Sequence, residues 1–259
     1  AELAAAEASF AGKEARLPGA GADAALVAAA PEPAAARREI EATLAGLRSA
    51  GALAILRAKG PAAAAVARGV ELHELGCAAM EVTLDSPEWE DILTGLRAAL
   101  PPTVLLGVGT VMDDTVSLLP RLKALGATFA LSPIDPVGFV GECQRLGLLA
   151  IPSAFTSNEC WALHRRGVRL IKLFHAGLAS PAILKSMLAV TPLGEHLNIL
   201  PSGGVSPDNA AAWWAAGAAV IGMGSNLVGN LKDLPDGGKW AAGGRETAAR
   251  VFEAAAARR

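Results

Sequence analysis

One lysine stands in the interior of an apolar, β-rich segment, Arg169-Leu170-Ile171-Lys172-Leu173-Phe174-His175, bounded by Gly167 and Gly177. On a strand, Leu170, Lys172 and Phe174 share one face, so a core that receives Leu170 and Phe174 receives the lysine as well. Burying an ammonium without a partner is costly, or pushes its pKa toward neutrality. A neutral amine attacks carbonyl carbon, which makes Lys172 a candidate for Schiff-base chemistry. The competing reading is a lysine that snorkels out at the strand end. Glu81 is a second acid-base candidate, on one face with Thr83 in the strand-like stretch Ala79 to Leu84. Two Gly-rich stretches, Ser202-Gly203-Gly204-Val205-Ser206 and Gly222-Met223-Gly224-Ser225, are of the kind that brings backbone amides up to an anion. Either alone reads as a tight turn.

Positioning these residues requires a regular scaffold, and the punctuation from Glu39 onward supplies one. Strands are expected at Leu53 to Arg57, Ala79 to Leu84, Thr103 to Val108, Thr128 to Leu131, Leu148 to Ile151, Val168 to Phe174, Leu197 to Leu200 and Ala218 to Ile221. A helix is expected at Glu39 to Ala50, and others between the strands near Pro61 to Leu75, Pro87 to Leu100, Asp113 to Leu125, Pro136 to Leu146, Asn158 to Arg166, Ser180 to Val190 and Pro207 to Ala216. Gly76, Gly126, Gly147, Gly167 and Gly217 follow helices as left-handed C-caps would. Near-continuously apolar strands alternating with helices read as a parallel sheet covered on both faces. About eight such units, with no GxGxxG loop, favour a closed (β/α)8 TIM barrel over an open doubly wound sheet. Residues 1 to 35 read as an Ala-rich, poorly structured or peripheral extension, 36 to 259 as one barrel domain, and Lys239 to Arg259 as a closing helix.

In such a barrel the site lies at the C-terminal strand ends. Those ends carry Arg57, Glu81, Gly109-Thr110, Ser132-Pro133, Pro152, Lys172, Ser202-Gly203-Gly204 and Gly224-Ser225. The two Gly loops then follow strands seven and eight, where barrels often bind phosphate.

Composition narrows the partners. A net charge of -2 gives no reason to expect nucleic acid or an anionic membrane surface, so a small molecule is the expected ligand. No apolar run is long enough for membrane insertion. Three cysteines, Cys77, Cys143 and Cys160, without CxxC spacing suggest neither a disulfide framework nor a zinc site. The expected location is intracellular and soluble: the cytoplasm, or an organelle such as the chloroplast stroma if the missing Met reflects a removed transit peptide. Trp213-Trp214 read as helix packing, and His73, His164 and His196 as scattered structural or surface residues.

The chain resembles the class I 2-keto-3-deoxy-6-phosphogluconate (KDPG) and 4-hydroxy-2-oxoglutarate (KHG) aldolase family. The resemblance rests on Glu81-Val82-Thr83-Leu84, Gly107-Val108-Gly109-Thr110-Val111, Ser132-Pro133, Ile151-Pro152, Lys172-Leu173-Phe174, Pro201-Ser202-Gly203-Gly204-Val205-Ser206 and Gly224-Ser225-Asn226-Leu227. It implies a homotrimer of barrels that forms pyruvate, needs no metal or other cofactor, and takes a phosphorylated 2-keto acid in sugar-acid breakdown of the Entner-Doudoroff kind. It implies that Lys172 forms the Schiff base and Glu81 shuttles protons. Arg57 and Thr110 would hold the pyruvate carboxylate and Gly203, Gly204 and Ser225 the phosphate, with Pro133, Phe174, Ser202 and Gly224 completing the substrate-binding set.

Three positions depart from the family pattern. Asp85-Ser86 stands where Arg or Asn followed by Thr is usual, His175 where Pro is, and Ser153 where Gly is. Two other functions therefore stay open: a non-catalytic aldolase-like barrel serving as a structural or assembly subunit, and a phosphosugar isomerase or synthase that uses the Gly loops without an imine.

Overall fold

The computed structural model describes residues 33–231, 240 and 242–258; the expected Ala-rich extension lies largely outside them, as does Lys239 of the expected closing helix. Helix α1, Ala34–Ala50, begins earlier than the expected Glu39, directly after Pro33. Its buried side chains Ala36, Ile40, Thr43 and Leu47 recur at helical spacing, and the Ala run is long enough to extend the stripe backwards.

Strands β1 (Ala52–Leu56), β2 (Ala79–Thr83), β3 (Leu105–Gly109), β4 (Phe129–Leu131) and β5 (Leu149–Ile151) follow, with α2 (Ala62–Glu74), α3 (Trp89–Ala99), α4 (Leu119–Ala124) and α5 (Phe139–Leu146) between them. Beyond these come β6 (Ser153–Ala154), α6 (Ser157–Arg165), β7 (Ile171–Leu173), α7 (Pro181–Leu188), α8 (Thr191–His196), β8 (Ile199–Pro201), α9 (Ala210–Ala215), β9 (Ile221–Met223), α10 (Ser225–Val228) and α11 (Gly244–Ala256). Every ladder is parallel. One sheet runs β5-β4-β3-β2-β1-β9 and the other β6-β7-β8. The chain is an α/β protein with parallel strands in a curled sheet.

Two joints connect the sheets. Pro152 separates β5 from β6, because it has no N–H to donate, yet its carbonyl still accepts from Lys172 N–H at 2.9 Å. On the other side Ala219 N–H reaches Ile199 O at 2.9 Å, just before β9.

Strand side chains alternate between two apolar clusters. Ala54, Met80, Val82, Leu106, Val108, Ile171, Leu173 and Ile221 pack against helices. Leu53, Phe129, Leu131, Leu149, Ile151, Leu170, Leu200 and Val220 form an inner cluster that Ile40 and Leu47 of α1 join. Lys172 is two residues from Leu170, so the strand alternation that seats Leu170 inside directs the lysine the same way. The five expected C-cap glycines all have positive φ, between 70 and 101 degrees.

Local differences from the sequence reading trace to proline and to weak patterns. The expected helix Asp113 to Leu125 splits into a 3-10 segment, Asp113–Leu118, and α4, at Pro120. Six-residue α8, with Pro192 and Gly194 inside it, gave no apolar period to detect. Single-turn α10 starts at Ser225, the last residue of the second Gly-rich stretch, and is too short to show an apolar period.

Candidate active site

β2 lies between β1 and β3, with Glu81 in register with Ile55 and Gly107. Glu81 is 1% exposed, and its Oε2 has no hydrogen-bond partner among the described residues. Its carboxyl lies over Gly109, where a Cβ would overlap Oε1; glycine at that place on β3 is what leaves room for the acid. On β7, Lys172 is in register with Ser153 and Leu200 and is 6% exposed. Its Nζ lies 4.6 Å from the Phe174 ring centroid. The strand-end snorkel is therefore not what the fold adopts.

The two buried groups perturb each other. Burial pushes the Glu81 carboxyl up from its ordinary value, with Lys172 and Arg57 pulling it down and Asp85 adding to the rise. Burial pulls the Lys172 ammonium down, Glu81 opposes this, and Arg57 adds to it. For both, desolvation is the larger effect. The result is an acid biased toward its protonated form and an amine biased toward its neutral form, as imine formation requires.

Lys172 and Glu81 line a cavity of about 430 Å³ together with Arg57, Thr110, Pro133, Phe174, Ser202, Gly203, Gly204, Gly224 and Ser225. The eleven residues expected to be catalytic or substrate-binding thus meet in one place, whereas Gly109, Ser132 and Pro152 of the strand ends do not line it. Arg57 is held from two sides: its Nη1 donates to Asp85 Oδ2 and its Nη2 to Thr110 Oγ1 at 3.4 Å. Thr110, at φ 63 degrees, is the one non-glycine residue with positive φ among those described. A β-branched residue there is strained, and such strain concentrates at functional sites.

At the other end the Gly loops are laced together. Ala176 N–H bonds Ser202 O at 2.8 Å and Gly177 N–H bonds Gly203 O at 2.6 Å. Gly204, at φ 105 degrees, has no room for a Cβ against the Gly177 backbone. Asn226 Nδ2, in α10 just after β9, donates to Val205 O at 3.3 Å.

Asn230 and Leu231, which also line the cavity, carried no sequence signal, and Asn226, present in the Gly224 to Leu227 motif, was given no site role. A Gly-Asn pair after a one-turn helix offered no signal beyond a turn. His175 is exposed and lies against Phe174 with ring centroids 3.5 Å apart and planes tilted by 33°, outside the cavity lining. A larger cavity, about 880 Å³, opens at the opposite strand ends beside Arg48, Glu195 and Arg258, whose side chains are exposed. It has no buried ionisable pair, so the chemistry belongs to the smaller cavity.

Parallel α/β layers with a buried lysine and carboxyl at the C-terminal strand ends define a class of protein suited to carbonyl chemistry. The model of the aldolase family described as KDPG and KHG aldolase matches residues 44–238, and the chain belongs to that family. It is 30% identical over 155 residues to 2-dehydro-3-deoxy-6-phosphogalactonate aldolase of Escherichia coli (strain K12), covering 60% of this chain and 73% of that protein. It is 34% identical over 157 residues to the probable 2-dehydro-3-deoxy-6-phosphogalactonate aldolase of Rhizobium meliloti (strain 1021), covering 60% and 72%. Among solved structures, native KDPGal superposes with a TM-score of 0.67 at 26% identity over 80% of this chain and 94% of that one.

Proposed function

We propose that this chain is a class I aldolase that cleaves a 2-keto-3-deoxy sugar acid phosphate, or 4-hydroxy-2-oxoglutarate, into pyruvate and an aldehyde. The observation that carries the reading is buried Lys172 sharing one cavity with buried Glu81. Family membership supports it. Neutral Lys172 Nζ attacks the C2 ketone, and Glu81 moves the protons that turn the carbinolamine into a protonated imine with loss of water. The carboxylate form of Glu81 then takes the C4 hydroxyl proton as the C3–C4 bond breaks, its electron pair passing into the imine to give an enamine. Protonation at C3 and hydrolysis release pyruvate and restore the amine. The imine is the electron sink, so the mechanism needs no metal.

Arg57 and Thr110 face the pyruvate carboxylate in this reading, and Gly203, Gly204 and Ser225 the phosphate, against Pro133, Phe174, Ser202 and Gly224. The finer architecture is a closed (β/α)8 barrel over residues 36–259; the hydrogen bonds of Pro152 and Ala219 across the two sheet joints support it. The assembly is a homotrimer, testable by sedimentation, and the pathway is sugar-acid breakdown of the Entner-Doudoroff kind.

The test is pyruvate release, followed with lactate dehydrogenase in the presence of EDTA, from 2-keto-3-deoxy-6-phosphogluconate, its galactonate epimer and 4-hydroxy-2-oxoglutarate. Turnover of at least one is expected. No pyruvate from any of the three, with the chain folded, contradicts the reading and favours a structural subunit.

A further inference from the structure

Asp85 departs from the family pattern, and its surroundings give that departure a role. The loops after β1 and β2 are fastened by Ser86, 1% exposed, whose Oγ accepts Ala58 N–H at 3.1 Å and lies 3.2 Å from Thr83 Oγ1. Leu84 N–H bonds Gly109 O at 2.9 Å, tying the same loop to the end of β3. Asp85 and Arg57 are the chain neighbours of the fastened Ser86 and Ala58, so the fastening sets them face to face and their ion pair closes across the gap. Arg57 then spans from Asp85 to Thr110 on three consecutive strand ends. Apart from Lys172, no other cation is among the described residues lining the cavity.

We propose that Asp85 is a positioning residue: by engaging Nη1 of Arg57 it fixes the guanidinium so that Nη2, beside Thr110 Oγ1, meets a single substrate carboxylate. The loop after β2 thereby becomes the element that sets how the keto-acid end is held. A long, half-exposed arginine left unpaired samples many rotamers and must be ordered again at each binding event. Asp85 orders it beforehand and also lowers the net positive charge at the mouth, which limits attraction of a second anionic group. The pair is half exposed, so removing Asp85 leaves the Ser86 fastening and the fold in place.

The assay for this inference draws on the Schiff-base reading, so it is run in two forms: pyruvate-dependent borohydride labelling of Lys172, and pyruvate-induced thermal shift, which needs no imine. In Asp85→Ala the half-saturating pyruvate concentration rises about tenfold, the scale of one lost charge-assisted contact, while the rate at saturation changes by less than about threefold. Asp85→Asn recovers most of the loss, because the amide oxygen still accepts from Arg57. Glu81 is faced by Lys172, Arg57 and Asp85, and Asp85 holds its carboxyl up. Burial is the main cause of that rise and Asp85 adds the smallest part, so both variants move the Glu81-controlled limb of the labelling profile slightly to lower pH, while only Asp85→Ala weakens half-saturation.

An unchanged half-saturation in Asp85→Ala overturns the proposal. A lowered one overturns it too, showing that Asp85 competes with the substrate for Arg57. Absent labelling in the wild type, with thermal-shift affinity still weakened in Asp85→Ala, refutes the imine and upholds Asp85; absent labelling with no such weakening overturns both.

Discussion

Lys172 and Glu81 enter the cavity with opposite perturbations from the same cause, the loss of water around a charge. Each partly compensates the other, and this coupling fixes the sign of a pH experiment. Glu81 holds the Lys172 ammonium up against burial, so Glu81→Gln lets the lysine pKa fall further. The acid limb of pyruvate labelling in Glu81→Gln therefore moves to lower pH, while the rate on its plateau drops about 10²-fold as the proposed proton shuttle is lost. Stopped labelling across a pH series reads both; a limb that stays in place or rises contradicts the coupling. Lys172 was legible because a charge inside an apolar period-two segment has few explanations. The partner of Arg57 was not, because Asp85 is remote in sequence and on a loop, and by type alone an acid beside an anion site looks like a misfit.

The strands set where these groups sit and the glycines set how closely they approach. Gly109→Ala on β3 places a methyl where the Glu81 carboxyl lies. Labelling is expected to fall at least about 10²-fold at a stability cost of about 1–3 kcal/mol, measured together by trapping and urea unfolding. Wild-type labelling in this variant would show that the carboxyl position is immaterial. Ser86→Ala leaves Ala58 N–H buried without its acceptor, for a loss of about 1–3 kcal/mol in the same unfolding assay. The alternation of strands and helices was readable from apolar runs and Gly C-caps. The lacing of loops by Ser86, Asn226 and Gly177 was not, since it depends on which strand ends become neighbours.

Across the whole molecule the strands divide the labour between two ends. At the N-terminal ends α1 adds Ile40 and Leu47 to the inner apolar cluster, and Leu47 is fully buried. Leu47→Ala is expected to cost about 2–5 kcal/mol in urea unfolding while labelling in the folded fraction stays at the wild-type level. The three cysteines are buried, and burial pushes the Cys77 thiol up to about 12 and Cys160 up to about 11, in keeping with cysteines used as small apolar residues. Among the described residues no helix is long and apolar enough to cross a membrane. The barrel expectation came from counting repeats, but sequence could not show that Pro152 would interrupt the sheet, because that depends on which N–H the neighbouring strand needs. The proposed imine at the C-terminal strand ends is read out by intact-protein mass after pyruvate and borohydride, with Lys172→Ala beside the wild type. A single pyruvyl adduct on the wild type that is absent from a folded Lys172→Ala is the predicted result. An unmodified wild type, or an adduct that survives the substitution, would contradict it.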